Sequence, residues 1–292
     1  MGHAGTTIQR IDYHGWRGAW RMTDGEVDLI FIPSIGRIMR FGRVGGPNML
    51  WENPDLAGKL PDPAAVDWQN FGGDKLWPAP QERWGWPPDR DVDPGAHTVE
   101  TLPGGLLRVT GRSSARHGVR FLREISLSRT GAQVSIVNIL ENTGSRPVDW
   151  SVWEVAQVND PRWAEIPIDR IGSLNFFDDP TVRDRGLAMK GSVARGGATV
   201  RLTRSASKGG KVGTGSSTQW GRARIGGVVF TILGPNRQPG RYPDKGCLQE
   251  IYSSADPAKY MELELLSPIV HLNPGEKTSF TTRWRIDPAK GD

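Results

Sequence analysis

The sequence has little of what marks secreted, membrane-spanning or helical proteins. Cys247 is the only cysteine among 292 residues, which excludes an internal disulfide and fits a reducing compartment. No apolar run approaches the about 20 residues needed to cross a bilayer, and Met1–Arg10 lacks the apolar core of a signal peptide. We therefore expect a soluble, cytoplasmic protein that does not bind membranes.

Several motifs of common enzyme and metal-binding classes are also missing. There is no GxSxG, no GxxxxGK[ST] and no strand followed by GxGxxG, which argues against serine hydrolases, P-loop proteins and Rossmann dinucleotide-binding proteins. The five histidines show neither HxH nor HxxxH spacing, so a zinc site is not expected. We expect neither a cofactor nor a metal.

One acidic segment leaves calcium open. The stretch DRDVDPGAHTVE has acids at the positions of a calcium loop that supply ligands, namely Asp89, Asp91, Asp93 and Glu100. However, Pro94 occupies the position that needs glycine for the sharp turn, and the flanking helices are missing. A solvated acidic turn is the alternative.

Glycine, proline and short alternating segments are abundant. The chain has 37 glycines and 22 prolines, and no long segment carries a continuous apolar period of 3.6 residues. The predicted strands are Glu26–Ile32, Ile35–Phe41, Leu106–Thr110, Val119–Leu127, Gln133–Glu141, Pro147–Val158, Ala198–Thr203, Gly227–Leu233, Tyr260–Leu266 and Thr278–Ile286. Turns at short intervals predict an all-β protein of stacked antiparallel sheets, and no linker divides residues 1–292, so we expect a single domain.

The segment FGGDKLWPAPQERWGWPP, residues 71–88, concentrates tryptophan and proline. It cannot form a helix, and its prolines make it a poor central strand, so we interpret it as a rigid loop. Flat indole faces stack on sugar rings, and neighbouring polar groups bind the hydroxyls. The predicted sugar-binding residues of this loop are Lys75, Trp77, Gln81, Trp84 and Trp86. The alternative is that the tryptophans are core residues that close one end of a sandwich.

Three glutamates are candidates for acid–base chemistry. In YMELELLSP, strand alternation puts Glu262 and Glu264 on one face, although a solvated sheet face is the common reason for such a pattern. In DWSVWEVAQV, Glu154 alternates with apolar residues on a face that is expected to be buried. A buried acid there needs a partner or a function.

Positive charge is concentrated in the region 183–245, which has 13 Lys or Arg and two acids. These charges alternate with glycine and have few aromatic neighbours, so nucleic-acid binding is not expected. A solvated basic face or an anionic ligand remains possible.

Five segments together resemble proteins related to galactose mutarotase (aldose 1-epimerase). They are YHGWRGAWRMTDGEVDLIFIPSIGRIMRFG, GGPNMLWE, FGGDKLWPAP, ENTGSRPVDWSVWEVAQV and YMELELLSPIVHLNPGEKTSFTTRWRI. The likeness spans nearly the whole chain and rests on the order of moderately specific motifs. It implies one large antiparallel β-supersandwich with a sugar site on the concave face of one sheet.

The resemblance also implies catalytic roles. Its general base is a glutamate late in the chain, which corresponds by position to Glu264, and its general acid is a histidine in the middle of the chain. Here that strand reads SVWEVAQV, with Trp153 and Glu154 near the expected place and no histidine. Glu154 then either replaces the histidine, for epimerisation, isomerisation or glycosidic cleavage, or the scaffold only binds its ligand.

We therefore predict an aldose 1-epimerase-type enzyme with Glu264 as base and Glu154 as acid. Its other predicted binding residues, besides those of the loop, are Trp153 and Glu262. The first alternative is a non-catalytic carbohydrate-binding protein that uses Trp77, Trp84 and Trp86. A structural or partner-binding sandwich is a third possibility.

Overall fold

The structure is a computed structural model. It describes residues 5–128, 131–169, 173–177, 188–190, 198–204, 206–207 and 209–290.

The described residues are mainly β-strands. In chain order these are β1 (Thr7–Tyr13), β2 (Trp16–Thr23), β3 (Val27–Ile32), β4 (Arg37–Arg43), β5 (Asp74–Ala79), β6 (His97–Leu102), β7 (Leu106–Gly111), β8 (Val119–Leu127), β9 (Gln133–Asn142), β10 (Val148–Asn159), β11 (Trp163–Ile168), β12 (Leu174–Phe176), β13 (Ala188–Lys190), β14 (Ala198–Leu202), β15 (Gly210–Thr214), β16 (Trp220–Ile225), β17 (Val228–Leu233), β18 (Gln249–Ser253), β19 (Tyr260–Leu266), β20 (Val270–Leu272) and β21 (Lys277–Pro288). Short 3-10 helices cover Pro54–Leu56, Gln81–Arg83 and Asp244–Gly246.

These strands form two antiparallel sheets. The first has eleven strands in the order β1-β2-β3-β4-β5-β10-β19-β18-β15-β12, with β20 pairing to β10. The second has ten strands in the order β13-β14-β11-β16-β17-β21-β9-β8-β7-β6. The predicted all-β antiparallel sandwich is confirmed. Within the described residues, no helix is long and apolar enough to span a membrane.

Strand alternation builds the core between the sheets. In β8 alternate residues are buried, namely Val119, Phe121, Arg123, Ile125 and Leu127, and the residues between them are partly exposed. From the first sheet, Phe41 packs against two side chains of the second sheet, with ring centroids 5.5 Å from Trp284 and 5.8 Å from Phe230. Burying each such side chain stabilises the fold by about 1.5–3 kcal/mol.

The segment predicted as a rigid loop contains a buried strand. Residues Asp74–Ala79 form β5, which lies between β4 and β10, so the interpretation of this part as a loop is wrong. Pro78 is tolerated for two reasons. On one side, β4 pairs with β5 only at Ile38 and Asp74. On the other side, the Val152 carbonyl accepts from the Ser267 N–H, so it needs no N–H from Pro78.

Candidate functional site

Polar and aromatic side chains gather on the face of the first sheet that points away from the second sheet. Strand register puts them there, because residues paired across neighbouring strands share a face. We call this set the outer-face cluster, and it consists of Lys75, Trp77, Trp153, Gln157, Lys211, Glu250, Glu262 and Glu264. The predicted sharing of one face by Glu262 and Glu264 is confirmed.

Lys211 lies between two carboxylates at the centre of the cluster. Its Nζ is 2.9 Å from Glu264 Oε2 and forms an ion pair with Glu250 Oε2, and it lies 4.4 Å from the ring centroid of Trp153. Trp153 Nε1 donates to Glu264 Oε2 at 2.7 Å. Burial opposes the charge of Lys211, but the adjacent carboxylates of Glu250 and Glu264 outweigh it and raise the lysine pKa. The Glu264 carboxylate is therefore held by two donors.

Lys75 and Glu262 form a second buried pair beside the first. Lys75 Nζ is 3.1 Å from Glu262 Oε1, which also accepts from Gln157 Nε2 at 3.0 Å. Burial lowers the pKa of Lys75 and raises the pKa of Glu262, because both lose the hydration of their charged forms. Lys75 also lies 5.5 Å from the Trp68 ring and 4.9 Å from the Trp77 ring, so aromatic faces replace part of its lost hydration.

The tryptophans around Lys75 form a connected group. The Trp77 ring is 5.1 Å from Trp153, 5.6 Å from Trp68 and 6.2 Å from Trp86, all edge to face. Asp93 Oδ2 accepts from the indole nitrogens of Trp77 and Trp68, at 2.8 and 3.0 Å. A buried carboxylate therefore fixes the ring orientations.

Two of the three tryptophans of the predicted loop are buried, as the alternative of core residues predicts. Trp77 and Trp84 are 5% and 6% exposed, and Trp84 Nε1 donates to the Pro78 carbonyl inside the fold. The strand conformation of β5 turns Trp77 onto the sheet rather than into solvent. Trp86 is 55% exposed, and Gln81 is partly exposed in the helix Gln81–Arg83.

The predicted pairing of Glu154 with Glu264 over one pocket is also wrong. Glu154 pairs in register with Leu265, and Glu264 pairs with Val155, so the two carboxylates point to opposite faces. Glu154 lies between the sheets, where it accepts from Trp284 Nε1 at 3.1 Å and lies 3.7 Å from Arg123. Burial and then the charge of Asp74 raise the pKa of Glu154 to about 8. The partner that a buried acid needs is Arg123, which also pairs with Asp74.

The acids of the candidate calcium loop have separate partners. Asp89 accepts from the Ser114 hydroxyl and Asp91 pairs with Arg112, whereas Asp93 pairs with Arg37 at 2.5 Å. Glu100 lies 3.5 Å from Arg108 on the second sheet. Within the described ranges no group of three or more His, Cys, Asp or Glu converges as a metal site would. The arrangement gives calcium no support.

The basic segment does not gather its charge at the cluster. Arg201 and Arg222 lie on the second sheet, where both pair with the buried Glu165. Lys211 is held between its two carboxylates. Several of the remaining residues, among them Arg183, Arg185 and Arg195, lie outside the described residues.

Sequence reasoning missed Glu250, Lys211, Asp93 as an indole acceptor, and Trp68. Glu250 lies in the short segment QEIYS, whose alternation with Tyr252 is a weak signal that spans only a few residues. Lys211 was one of many basic residues, and nothing in the sequence distinguishes it before the strands are paired.

Comparison with solved structures gives a consistent fold. A galactose mutarotase-like protein from Clostridium acetobutylicum has 12% identity and a TM-score of 0.62, with 98% of this chain and 99% of that chain covered. A galactose mutarotase-like protein from Lactobacillus casei has 10% identity and a TM-score of 0.58, with 92% and 100% covered. The chain therefore has the galactose mutarotase-like fold that its sequence resembles.

Another similar structure belongs to a larger protein. A TPR-domain containing protein from Parabacteroides distasonis has 13% identity and a TM-score of 0.58, with 99% of this chain covered. This chain spans about half of that protein, 54% of its length. A search of curated proteins gave no match. A family model matches residues 20–287, and the chain belongs to that family, described as Domain of unknown function (DUF4380).

Proposed function

We propose that this protein is an aldose 1-epimerase-type enzyme that acts on an uncharged sugar, with Glu264 as the general base. The observation that carries the proposal is the setting of Glu264. Its carboxylate lies in the outer-face cluster, 1% exposed, and is held by Trp153 Nε1 and Lys211 Nζ. A positioned carboxylate with fixed donors is suited to removing a proton from a hydroxyl group.

The charge of the cluster supports an uncharged ligand rather than an anionic one. Two lysines face three glutamates, Glu250, Glu262 and Glu264, and both lysines are already paired with them. Neither lysine is therefore free to pair with a phosphate or carboxylate on the sugar.

The approach to the cluster is on the side of Lys211 and Glu262. Their side chains are 12% and 10% exposed, whereas Glu250 and Glu264 are buried. A sugar that reaches Glu264 therefore passes Lys211, whose N–H donor not bonded to Glu250 or Glu264 suits a hydroxyl group.

The comparisons support the proposal at the level of the fold only. Two of the similar structures are named galactose mutarotase-like proteins. Function depends on the site rather than the fold, so the weight of the proposal rests on Glu264 and its donors. We also propose that residues 1–292 form one domain, since the first sheet contains strands from both ends of the chain, and that the protein is cytoplasmic.

The test is the rate of anomer exchange in a panel of free sugars. NMR exchange spectroscopy with wild-type protein is expected to show exchange faster than in buffer for at least one uncharged sugar. Glu264→Gln keeps the shape of the side chain and removes the base, so exchange should fall to the buffer rate. No acceleration by the wild type for any sugar in the panel would refute the enzymatic proposal.

A non-catalytic sugar-binding protein is the second candidate, and Trp86 favours it. This indole is 55% exposed and packs against Trp68 and Trp77, so it offers a fixed flat surface to solvent. Trp68 also lines a cavity of about 450 Å³ together with apolar residues that include Leu60, Val66 and Pro87. Sugar binding without accelerated exchange would support this candidate.

A further inference from the structure

The two carboxylates beside Lys211 are direct neighbours across two strands. Glu250 in β18 pairs in register with Glu264 in β19, and their side chains share the outer face. Glu250 is 0% exposed and Glu264 is 1% exposed. Side chains paired in this way have Cβ atoms about 5 Å apart. The two carboxyl groups are therefore close enough to act on one small molecule.

The charge of this group requires a proton. Two ionised carboxylates and one ammonium would leave a net negative charge in a buried place, which is costly. A third carboxyl, Asp244 in the helix Asp244–Gly246, is close enough to act on Glu250 electrostatically and, when ionised, adds to this negative charge. At least one of these carboxyl groups therefore keeps its proton at neutral pH.

The hydrogen bonds indicate which carboxyl holds the proton. Glu264 accepts from the Trp153 indole N–H, and such a bond favours the ionised form. In the described part of the chain, both carboxylate oxygens of Glu250 lack a hydrogen-bond donor apart from the ion pair with Lys211. Burial and the charges of Glu264 and Asp244 raise the pKa of Glu250 well above its ordinary value, against the effect of Lys211.

The groups that face Glu250 come from each neighbouring element. They are Lys211 from β15, Glu264 from β19, Asp244 from the 3-10 helix and the buried thiol of Cys247, whose pKa is raised by burial and by Glu250. Lys211 supplies the positive charge, Glu264 and Asp244 are the two carboxyl neighbours, and the thiol of Cys247 stays neutral. The environment of Glu250 therefore favours its neutral form.

We propose that Glu250 is the catalytic acid that acts together with Glu264, an inference that rests on the proposed function. Glu264 takes the proton of the anomeric hydroxyl while Glu250 gives its proton to the ring oxygen. The bond between the anomeric carbon and the ring oxygen breaks, its electron pair goes to the ring oxygen, and an open-chain aldehyde forms. After rotation of the aldehyde, both proton transfers reverse and the ring closes on the other face.

Neighbouring carboxyl groups suit this reaction because both reacting oxygens are attached to the same carbon. Opposite protonation states of the two glutamates supply one acid and one base at the same pH, which the chemistry requires. Because Glu250 supplies the acid, the site needs no histidine in that role.

The test compares Glu250→Gln with Glu264→Gln on a sugar that the wild type turns over. Glu250→Gln should lower kcat by about 100-fold or more, the usual contribution of a general acid, and leave sugar binding within a few-fold. Glu250→Asp, which keeps a carboxyl, should recover part of kcat. The wild-type rate should fall at alkaline pH as Glu250 loses its proton, and Glu250→Gln should lack that dependence.

Controls separate the possible failures. Glu100→Gln, an exposed glutamate on the second sheet, should leave kcat unchanged. A wild-type kcat in Glu250→Gln, with the wild type active, would refute the role of Glu250 and leave the proposed function intact. An inactive wild type would refute the proposed function instead.

An infrared measurement tests the proton without turnover. The difference spectrum between wild type and Glu250→Gln at neutral pH should contain the carbonyl stretch of a protonated carboxylic acid. Absence of this band in a folded variant would refute the proposal even if no sugar is turned over. Thermal melts of both proteins establish that the variant is folded.

Discussion

Glu154 and Glu264 lie on neighbouring strands one residue out of register, and their carboxyl groups point to opposite faces of the same sheet. Glu154 lies between Arg123 and Trp284 in the interior, and Glu264 lies between Lys211 and Trp153 on the outer face. Two acids that differ by one position in register therefore belong to different environments. The first is expected to affect stability and the second to affect activity.

The first prediction concerns the pH dependence of stability. The pKa of Glu154 is raised from its ordinary value of 4.5 to about 8, so between these values the folded state binds more protons than the unfolded state. Stability therefore falls as the pH rises through this window, with a slope of at most about 1.4 kcal/mol per pH unit from this group. Asp74, whose pKa is also raised by burial, adds to the same trend. Urea unfolding between pH 5 and pH 9 measures the slope.

Glu154→Gln should flatten this dependence. The amide keeps an acceptor for Trp284 Nε1 and has no proton to lose. The variant is expected to gain stability relative to wild type as the pH rises from 5 to 9. Parallel curves for the two proteins would contradict the assignment of the titration to Glu154.

The second prediction concerns Asp93, the carboxylate that holds two indoles and Arg37. Asp93→Asn removes the charge that compensates Arg37, which is 0% exposed, and offers an amide group where two N–H donors already point. Breaking a buried ion pair in this way is expected to cost about 3 kcal/mol of unfolding free energy. The exposed pair of Glu26 and Arg43 is the matched control, and Glu26→Gln should cost about 1 kcal/mol or less. If Asp93→Asn and Glu26→Gln lose the same unfolding free energy, burial does not determine how much each ion pair contributes to stability.

The sequence predicts the faces of single strands well. In β19 the period of two residues places Glu262 and Glu264 together, and the structure agrees. In β10 the same period places Glu154 with its apolar neighbours on a buried face. Both predictions depend only on backbone geometry within one strand.

Neither the pattern of β10 nor that of β19 shows in which register the two strands pair. A shift of one residue in the register of β10 against β19 would exchange the faces, and the register depends on contacts made far along the chain. The charged cluster is equally non-local, since Lys211 and Glu250 come together only through the pairing of β15 with β18. Trp77 is buried because Asp93 accepts its indole N–H and because its segment forms the strand β5. The proline content of that segment argues against a strand.

The third prediction concerns the donor to the proposed base. Trp153→Phe keeps a six-membered aromatic ring beside Lys211 and Trp77, and it removes the five-membered ring whose N–H bonds Glu264 Oε2. Turnover should fall mainly through kcat, because the carboxylate loses one of the two donors that hold it, and unfolding should lose about 1 kcal/mol. Steady-state kinetics and urea unfolding measure the two effects.

Trp163→Phe is the matched control for that variant. Trp163 is also buried in a sheet, but its Nε1 has no hydrogen-bond partner in the described part of the structure. This variant removes the same part of an indole but no hydrogen bond, so kcat should stay close to wild type and the loss of stability should be smaller than in Trp153→Phe. If both variants lose the same activity, the indole N–H of Trp153 has no specific role.

The fourth prediction concerns the exposed indole of Trp86. Its ring packs edge to face on Trp68 and Trp77 and leaves 55% of the residue in solvent, so a sugar can stack there without displacing the core. Trp86→Ala should weaken sugar binding about tenfold, which corresponds to about 1.4 kcal/mol.

Val44→Ala is the control: it truncates another exposed apolar residue and should leave the affinity unchanged. Isothermal titration with both variants measures the difference. Because binding rather than turnover is measured, the result also applies if the protein only binds its sugar. Unchanged affinity in Trp86→Ala would remove this indole from the ligand site.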